Sequence, residues 1–209
     1  MTKLSAIDIA NYFLILIKRE DGDSITHLKL QKLLYFAQKL SLGVSNKLLF
    51  SEEMMAWPYG PVTLSVYHEF KVFNNNAIPL PPEMDFDIYD QYTKNIVYKT
   101  HLKYGEHSAS YLLNLSHEDS AWKKAYISTD RIIEYSVIAQ DNKAVDVKTE
   151  IILSENDNKY LVEMEDEWWM NYDCGEPSED ITERLIEDLN LFKKDKKSFL
   201  TSLVTIEGF

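Results

Sequence analysis

The sequence predicts an α+β chain, with a mainly helical domain over residues 1–128 and an acidic extension over residues 129–209 made of a small antiparallel β-meander and a C-terminal helix. Three observations carry this reading. Apolar residues recur at three- and four-residue spacing as far as Ile127; the period becomes an alternation after Ser128; and nearly all the acidity lies beyond that change. Residues 1–128 hold 13 Lys/Arg against 14 Asp/Glu, whereas residues 129–209 hold 9 against 20, within a net charge of −12.

The first helix is announced by Ser5 and Asp8, at the spacing of a capping box, and by the stripe Ile9, Ala10, Phe13, Leu14 and Ile17. Glu20 to Ser24 reads as a turn. Thr26 then caps a second helix in which Leu30, Leu33, Leu34, Ala37 and Leu40 form one apolar face. Lys29, Gln31, Lys32 and Lys39 fall mostly off it, so a half-buried amphipathic helix is expected, ended by Gly43. A short strand is expected within Lys47 to Met55. Trp57-Pro58-Tyr59-Gly60-Pro61-Val62 makes a rigid corner, because the prolines fix φ and Gly60 is free to take positive φ. Pro61 suits the first turn of a third helix with Val62, Val66, Phe70 and Phe73 on its buried side.

A loop through Asn74–Asn76 and Pro79–Pro82 leads to a helix capped by Asp87, carrying Tyr92, Ile96, Val97 and Leu102 and stopped by Gly105. Two short helices are expected around Ser108 to Leu115 and Asp119 to Ile127. Beyond Ser128, Ile133, Tyr135, Val137 and Ala139 alternate with polar residues, as do Val145, Val147, Thr149 and Ile151, and Tyr160, Val162 and Met164. Asp141-Asn142 and Glu155 to Asn158 supply turns for a three-stranded meander. The closing helix, Ser178 to Lys194, has acids early and lysines late, as its dipole prefers.

Composition narrows the function. Apolar residues at 45% and aromatics at 12% are values of a folded chain. No apolar run approaches the roughly 20 residues that span a bilayer, and the N-terminus lacks the pattern of a signal peptide. With Cys174 as its single cysteine the chain has no internal disulfide, and a soluble cytoplasmic protein is expected. An acidic surface repels nucleic acid and speeds encounter with a basic protein.

Nothing in the sequence assembles a catalytic or metal-binding group. The histidines at 27, 68, 101, 107 and 117 have no metal-ligand spacing. His117-Glu118-Asp119 has the residue types of a general-base cluster, but Ser116 and the acids read more simply as caps of the helix bearing Trp122. Asp85, Asp87 and Asp90 resemble the start of a calcium loop, but Tyr89 fills the third ligand position and no glycine follows. Cys174 lies among acids that raise a thiol pKa. The chain has neither a phosphate-cradling glycine loop nor a G-x-S-x-G elbow. The expectation is a binding protein without cofactor or metal.

Candidate contact residues are few. Lys29, Lys32 and Lys39 form a basic patch that reads as a solvated helix face. Trp57 and Tyr59 either pack the corner or, if exposed, form a rigid anchor of the kind that dominates interface energetics. Glu163, Glu165, Asp166 and Glu167 precede Trp168 and Trp169, two large rings that need either the last helix or a partner to cover them.

KLQKLLYFAQ, then a glycine and LLF, then AWPYGPV followed by Tyr67 and Phe70, resembles the core motif of the Panacea, or SocA-like, antitoxin domain. YGEHSASYLLNLSHEDSAWKKAY, Tyr104 to Tyr126, is similar to that family's closing motif, and the resemblance covers about residues 5–127. It implies an antitoxin that binds and neutralises a cognate toxin, here expected to be basic, and it adds Lys29, Gln31, Lys32 and Tyr35 to the candidate contacts. The acidic extension, with Glu163, Glu165, Glu167, Trp168 and Trp169, is then the expected partner-specific element. The alternatives are a proteolytic adaptor that hands its partner to an ATP-dependent protease, a phage-encoded inhibitor of a host protein, and an enzyme acting through His117 and Glu118.

Overall fold

The computed structural model describes residues 3–21 and 25–143, so the later strands of the expected meander, the expected C-terminal helix and Glu163 to Trp169 lie outside the described residues. Among the described residues the fold is mainly helical with one small antiparallel sheet. The elements are α1 (Ala6–Asp21), α2 (His27–Ser45), β1 (Met54–Trp57), β2 (Gly60–Thr63), α3 (Leu64–Phe70), α4 (Gln91–Tyr104), α5 (Ala109–Glu118), α6 (Ser120–Tyr126) and α7 (Tyr135–Lys143). Single turns of 3-10 helix occupy Lys71–Phe73 and Phe86–Ile88.

Several starts are chemically as expected. The Asp8 N–H donates to Ser5 Oγ at 3.2 Å while Ser5 N–H donates to Asp8 Oδ2 at 2.8 Å, a reciprocal capping box with the shorter acid. Thr26 accepts from Lys29 N–H at 3.4 Å as expected; Ser108, near which a helix was expected to begin, also proves to cap α5, accepting from Tyr111 N–H at 3.2 Å. Other boundaries move. Helix α2 runs through Gly43 to Ser45 and ends on Asn46, whose φ of 54° supplies the left-handed cap the glycine was expected to provide. Asp90, not Asp87, caps α4, accepting from Thr93 N–H at 2.7 Å; Asp85 caps the preceding 3-10 turn, so the three acids serve helix starts. Leu102 is exposed rather than on the buried face. Asp119 is the boundary residue before α6 but makes no side-chain capping bond, and Ser116 Oγ donates to Leu113 O instead.

The larger correction concerns α2. From Leu30 to Gln38 every residue is buried, so α2 is a core helix enclosed on all sides and not a half-buried amphipathic one. It packs against α1, α4, α5, α7 and β2. Pro61 and Val62 lie on β2 and not in α3, which begins at Leu64. The hairpin pairs Met54 with Thr63 and Trp57 with Gly60 around Pro58 and Tyr59. Proline in the second turn position and a glycine at φ 85° in the fourth suit this tight reversal.

The segment read as the first strand of the meander is also different. Residues 131–133 add a short bridge to β1, with Ala56 N–H donating to Arg131 O and Ile133 N–H to Met54 O, both at 2.8 Å. Tyr135 to Lys143 then forms helix α7. Tyr135 and Ala139 stand at helical as well as alternating positions, the buried Ile138 fits only the helical one, and packing against α2 and α6 decides between the two periods. The Tyr135 hydroxyl donates to Glu52 O, and burial pushes its pKa above the ordinary tyrosine range.

Candidate functional site

The hairpin is held from below by polar side chains of α2. Gln31 and Gln38 are seven residues apart, two turns of helix, and each grips an extended segment with both ends of its amide. Gln31 Nε2 donates to Thr63 O at 3.2 Å and Thr63 N–H donates to Gln31 Oε1 at 2.8 Å. Gln38 Nε2 donates to Phe50 O at 3.0 Å and Leu49 N–H donates to Gln38 Oε1 at 2.9 Å. Each carboxamide thus gives the backbone what a neighbouring strand would give. Between them Lys32 Nζ donates to Pro61 O at 2.9 Å.

Burial of these groups is the reason they are strong. Replacing Gln31 with leucine strands the Thr63 N–H and C=O away from water, and a loss of about 2–4 kcal/mol in urea or guanidinium unfolding is expected. A Gln31→Leu protein as stable as the original would show that β2 finds other partners.

Lys32 is completely buried and pairs with no carboxylate among the described residues. Loss of water with no counter-charge in return brings its pKa down to about 7. Gly60 closes over it: a Cβ there would stand 2.6 Å from Ser116 Oγ and 2.8 Å from Lys32 Nζ. The charge is felt by two histidines. His27, beside Gln31 Nε2 at 3.2 Å, is lowered to about 4 by burial first and Lys32 second. His117 is lowered by burial and then by Lys32, against a hydrogen bond to the Pro58 carbonyl that raises it.

Because His27 has a folded pKa below its unfolded value, the unfolded chain binds more protons between about pH 4 and 6.5, and stability falls as pH drops through that window. His27→Gln is expected to flatten that part of a stability–pH curve; an unchanged curve would place the acid sensitivity elsewhere.

Two aromatic runs meet at the hairpin. His117 stacks on Trp122 at 4.0 Å, Trp122 on Tyr126 at 4.6 Å, and the Arg131 guanidinium lies over Tyr126 at 4.9 Å. Trp122 Nε1–H donates to Trp57 O at 3.3 Å. Trp57 meets Tyr67 edge-on at 5.0 Å, and Tyr67 meets His27 at 5.3 Å. Trp57 and Tyr59 are therefore neither wholly core nor free: both are half-buried, held in set directions at the tip.

The expected contacts divide on this geometry. Lys32 and Tyr35 are fully buried and belong to the interior, so neither offers the surface contact expected of it. Lys39 is not part of a solvated patch, because it pairs with the buried Asp119 carboxylate and ties α2 to the start of α6. Lys29 is half-buried in the first turn of α2. Gln38 and Trp122 add to the expected residues, and the signal that marks Gln38 is a second glutamine at heptad spacing from Gln31 within the apolar run of α2. A separate cleft of about 420 Å³ lies between Lys3, Lys47, Leu48, Ile88, Asp90 and Tyr92, and His117 does not line it. No metal-binding group of three or more His, Cys, Asp or Glu occurs among the described residues, and none of their helices is long and apolar enough to cross a membrane.

Residues 30–123, from the fourth residue of α2 to the middle of α6, match the family model described as "Antitoxin SocA-like, Panacea domain". Searches of the curated proteins and of the solved structures return no match.

Proposed function

We propose that this chain, whose residues 30–123 match the model of the SocA-like antitoxin Panacea domain, neutralises a cognate protein toxin by binding it directly. An antitoxin-type role follows from the family; the blockade by contact is supported by one structural observation. The hairpin tip holds Trp57 and Tyr59 half-exposed on a backbone fixed by Gln31, Lys32 and Gly60. Anchors already ordered before binding lose little conformational entropy on association. The protein acts here as a binding protein and not as an enzyme: His117 has a lowered pKa, but its ring is engaged by Trp122 and the Pro58 carbonyl. A cytoplasmic location is supported by the single cysteine.

The acidic extension remains the proposed partner-specific element, with Glu163, Glu165, Glu167, Trp168 and Trp169 giving charge for encounter and apolar area for retention. The test is co-expression of the adjacent gene with and without this protein. Growth arrest relieved only when the protein is present, together with a complex recovered by pull-down, is the expected result. A harmless neighbour, or rescue with no complex, would overturn neutralisation by contact.

A further inference from the structure

The cleft of about 420 Å³ is built by separate stretches of chain that fold together: Lys3 and Leu4 ahead of α1, Lys47 to Leu49 after α2, and the 3-10 turn and start of α4 with Asp85, Asp87 and Asp90. Its volume is that of a small-ligand pocket. Leu48 and Ile88 are 44% and 37% exposed, and both line this cleft. An apolar side chain left open to water inside a concavity has a partner to gain there.

The charges around these two residues are not spent on each other. Among the described residues neither Lys3 nor Lys47 forms an ion pair with the three aspartates that share the cleft. The Lys47 ammonium stands over the Tyr92 ring at 5.1 Å. Two of the acids serve the backbone: Asp85 Oδ1 accepts from Asp87 N–H at 3.0 Å, and Asp90 Oδ1 accepts from Thr93 N–H at 2.7 Å. The exposed Asp87 carboxylate accepts no hydrogen bond among the described residues. Both signs are therefore on offer in one cleft, with apolar contacts from two different segments. That combination suits a ligand that carries an ammonium, a carboxylate and two apolar groups. In an extended dipeptide the two side chains point to opposite faces, and the two termini lie about 7 Å apart at most.

We propose that the cleft binds a zwitterionic dipeptide with apolar side chains, its ammonium on Asp87, its carboxylate on Lys3 and Lys47, and its side chains on Leu48 and Ile88.

The test is titration of the full chain with leucyl-leucine, with its N-acetyl and C-amide forms and with free leucine, followed by the backbone amide NMR signals of Leu48 and Ile88. A Kd of about 1 mM or tighter is expected for leucyl-leucine. Blocking either terminus should weaken binding about tenfold, because each block leaves a protein charge without its partner. Asp87→Asn should bind the parent and the acetyl form alike, and Lys3→Gln with Lys47→Gln should bind the parent and the amide alike. These are exposed side chains, so the variants should melt close to the original temperature, which checks that the fold is intact. Unmoved Leu48 and Ile88 signals, equal affinity for all three dipeptide forms, or free leucine bound as tightly as leucyl-leucine would overturn the proposal. Trp57 and Tyr59 do not line the cleft, so neutralisation by the hairpin stands or falls separately.

Discussion

Gly60→Ala is expected to lower stability by about 2–4 kcal/mol and to abolish partner binding even where the protein remains folded. Two causes add. The residue sits at φ 85°, where a Cβ is strained whatever surrounds it. The Cβ would also press on Ser116 Oγ at 2.6 Å and on Lys32 Nζ at 2.8 Å, and both side chains are fully buried. Ser116 Oγ is already committed to Leu113 O, and Lys32 to Pro61 O, so yielding means losing a hydrogen bond. The tip bearing Trp57 and Tyr59 would rotate or lift as the strain is relieved. Thermal unfolding and pull-down read the two effects separately. A Gly60→Ala protein with unchanged melting temperature and unchanged binding would show that the hairpin is softer than its packing implies.

Lys32→Met is expected to flatten the rise of stability between pH 7 and 10.5. The folded pKa, about 7, lies below the ordinary value of 10.5, so between these limits the unfolded chain holds a proton that the folded one lacks. Stability therefore rises with pH across that window, by at most about 1.4 kcal/mol per pH unit for one proton, and the cost of a buried charge is fully present below pH 7. Methionine keeps the length and apolar stem without the charge, at the loss of one bond to Pro61 O. The same change removes the charge that depresses His27 and His117, so both histidines should titrate nearer to 6.5 in the variant. Denaturant midpoints from pH 6 to 10 and histidine NMR titration measure both; a slope equal in the two proteins would mean that another group carries it.

What was legible in the sequence is what local chemistry decides. The Ser5–Asp8 box, the Thr26 cap, the stripe of α1 and the two short helices α5 and α6 depend on residues within a few positions of each other, and they stand close to where expected. The chain was misread where distant residues decide. Gln31, Lys32 and Gln38 look like the polar side of an amphipathic helix until the hairpin is folded over them, when they become its hydrogen-bond partners. Residues 133–139 fit two periods, and only their packing on α2 and α6 chooses the helix. The tip was legible as a rigid aromatic corner because prolines and glycine restrict it locally; its support by Trp122 spans 65 residues of sequence and was not.

The most direct test of the account is Tyr59→Ala in the co-expression assay, with the melting temperature of the variant measured alongside. Tyr59 stands between two prolines at the tip and is half-exposed, so its loss removes an anchor while leaving the α2 clamps in place. The expected result is growth arrest that the variant no longer relieves and a complex weakened about tenfold or more, with a melting temperature close to that of the original protein. Full rescue by a stable Tyr59→Ala protein that still forms the complex would contradict the hairpin as the binding surface.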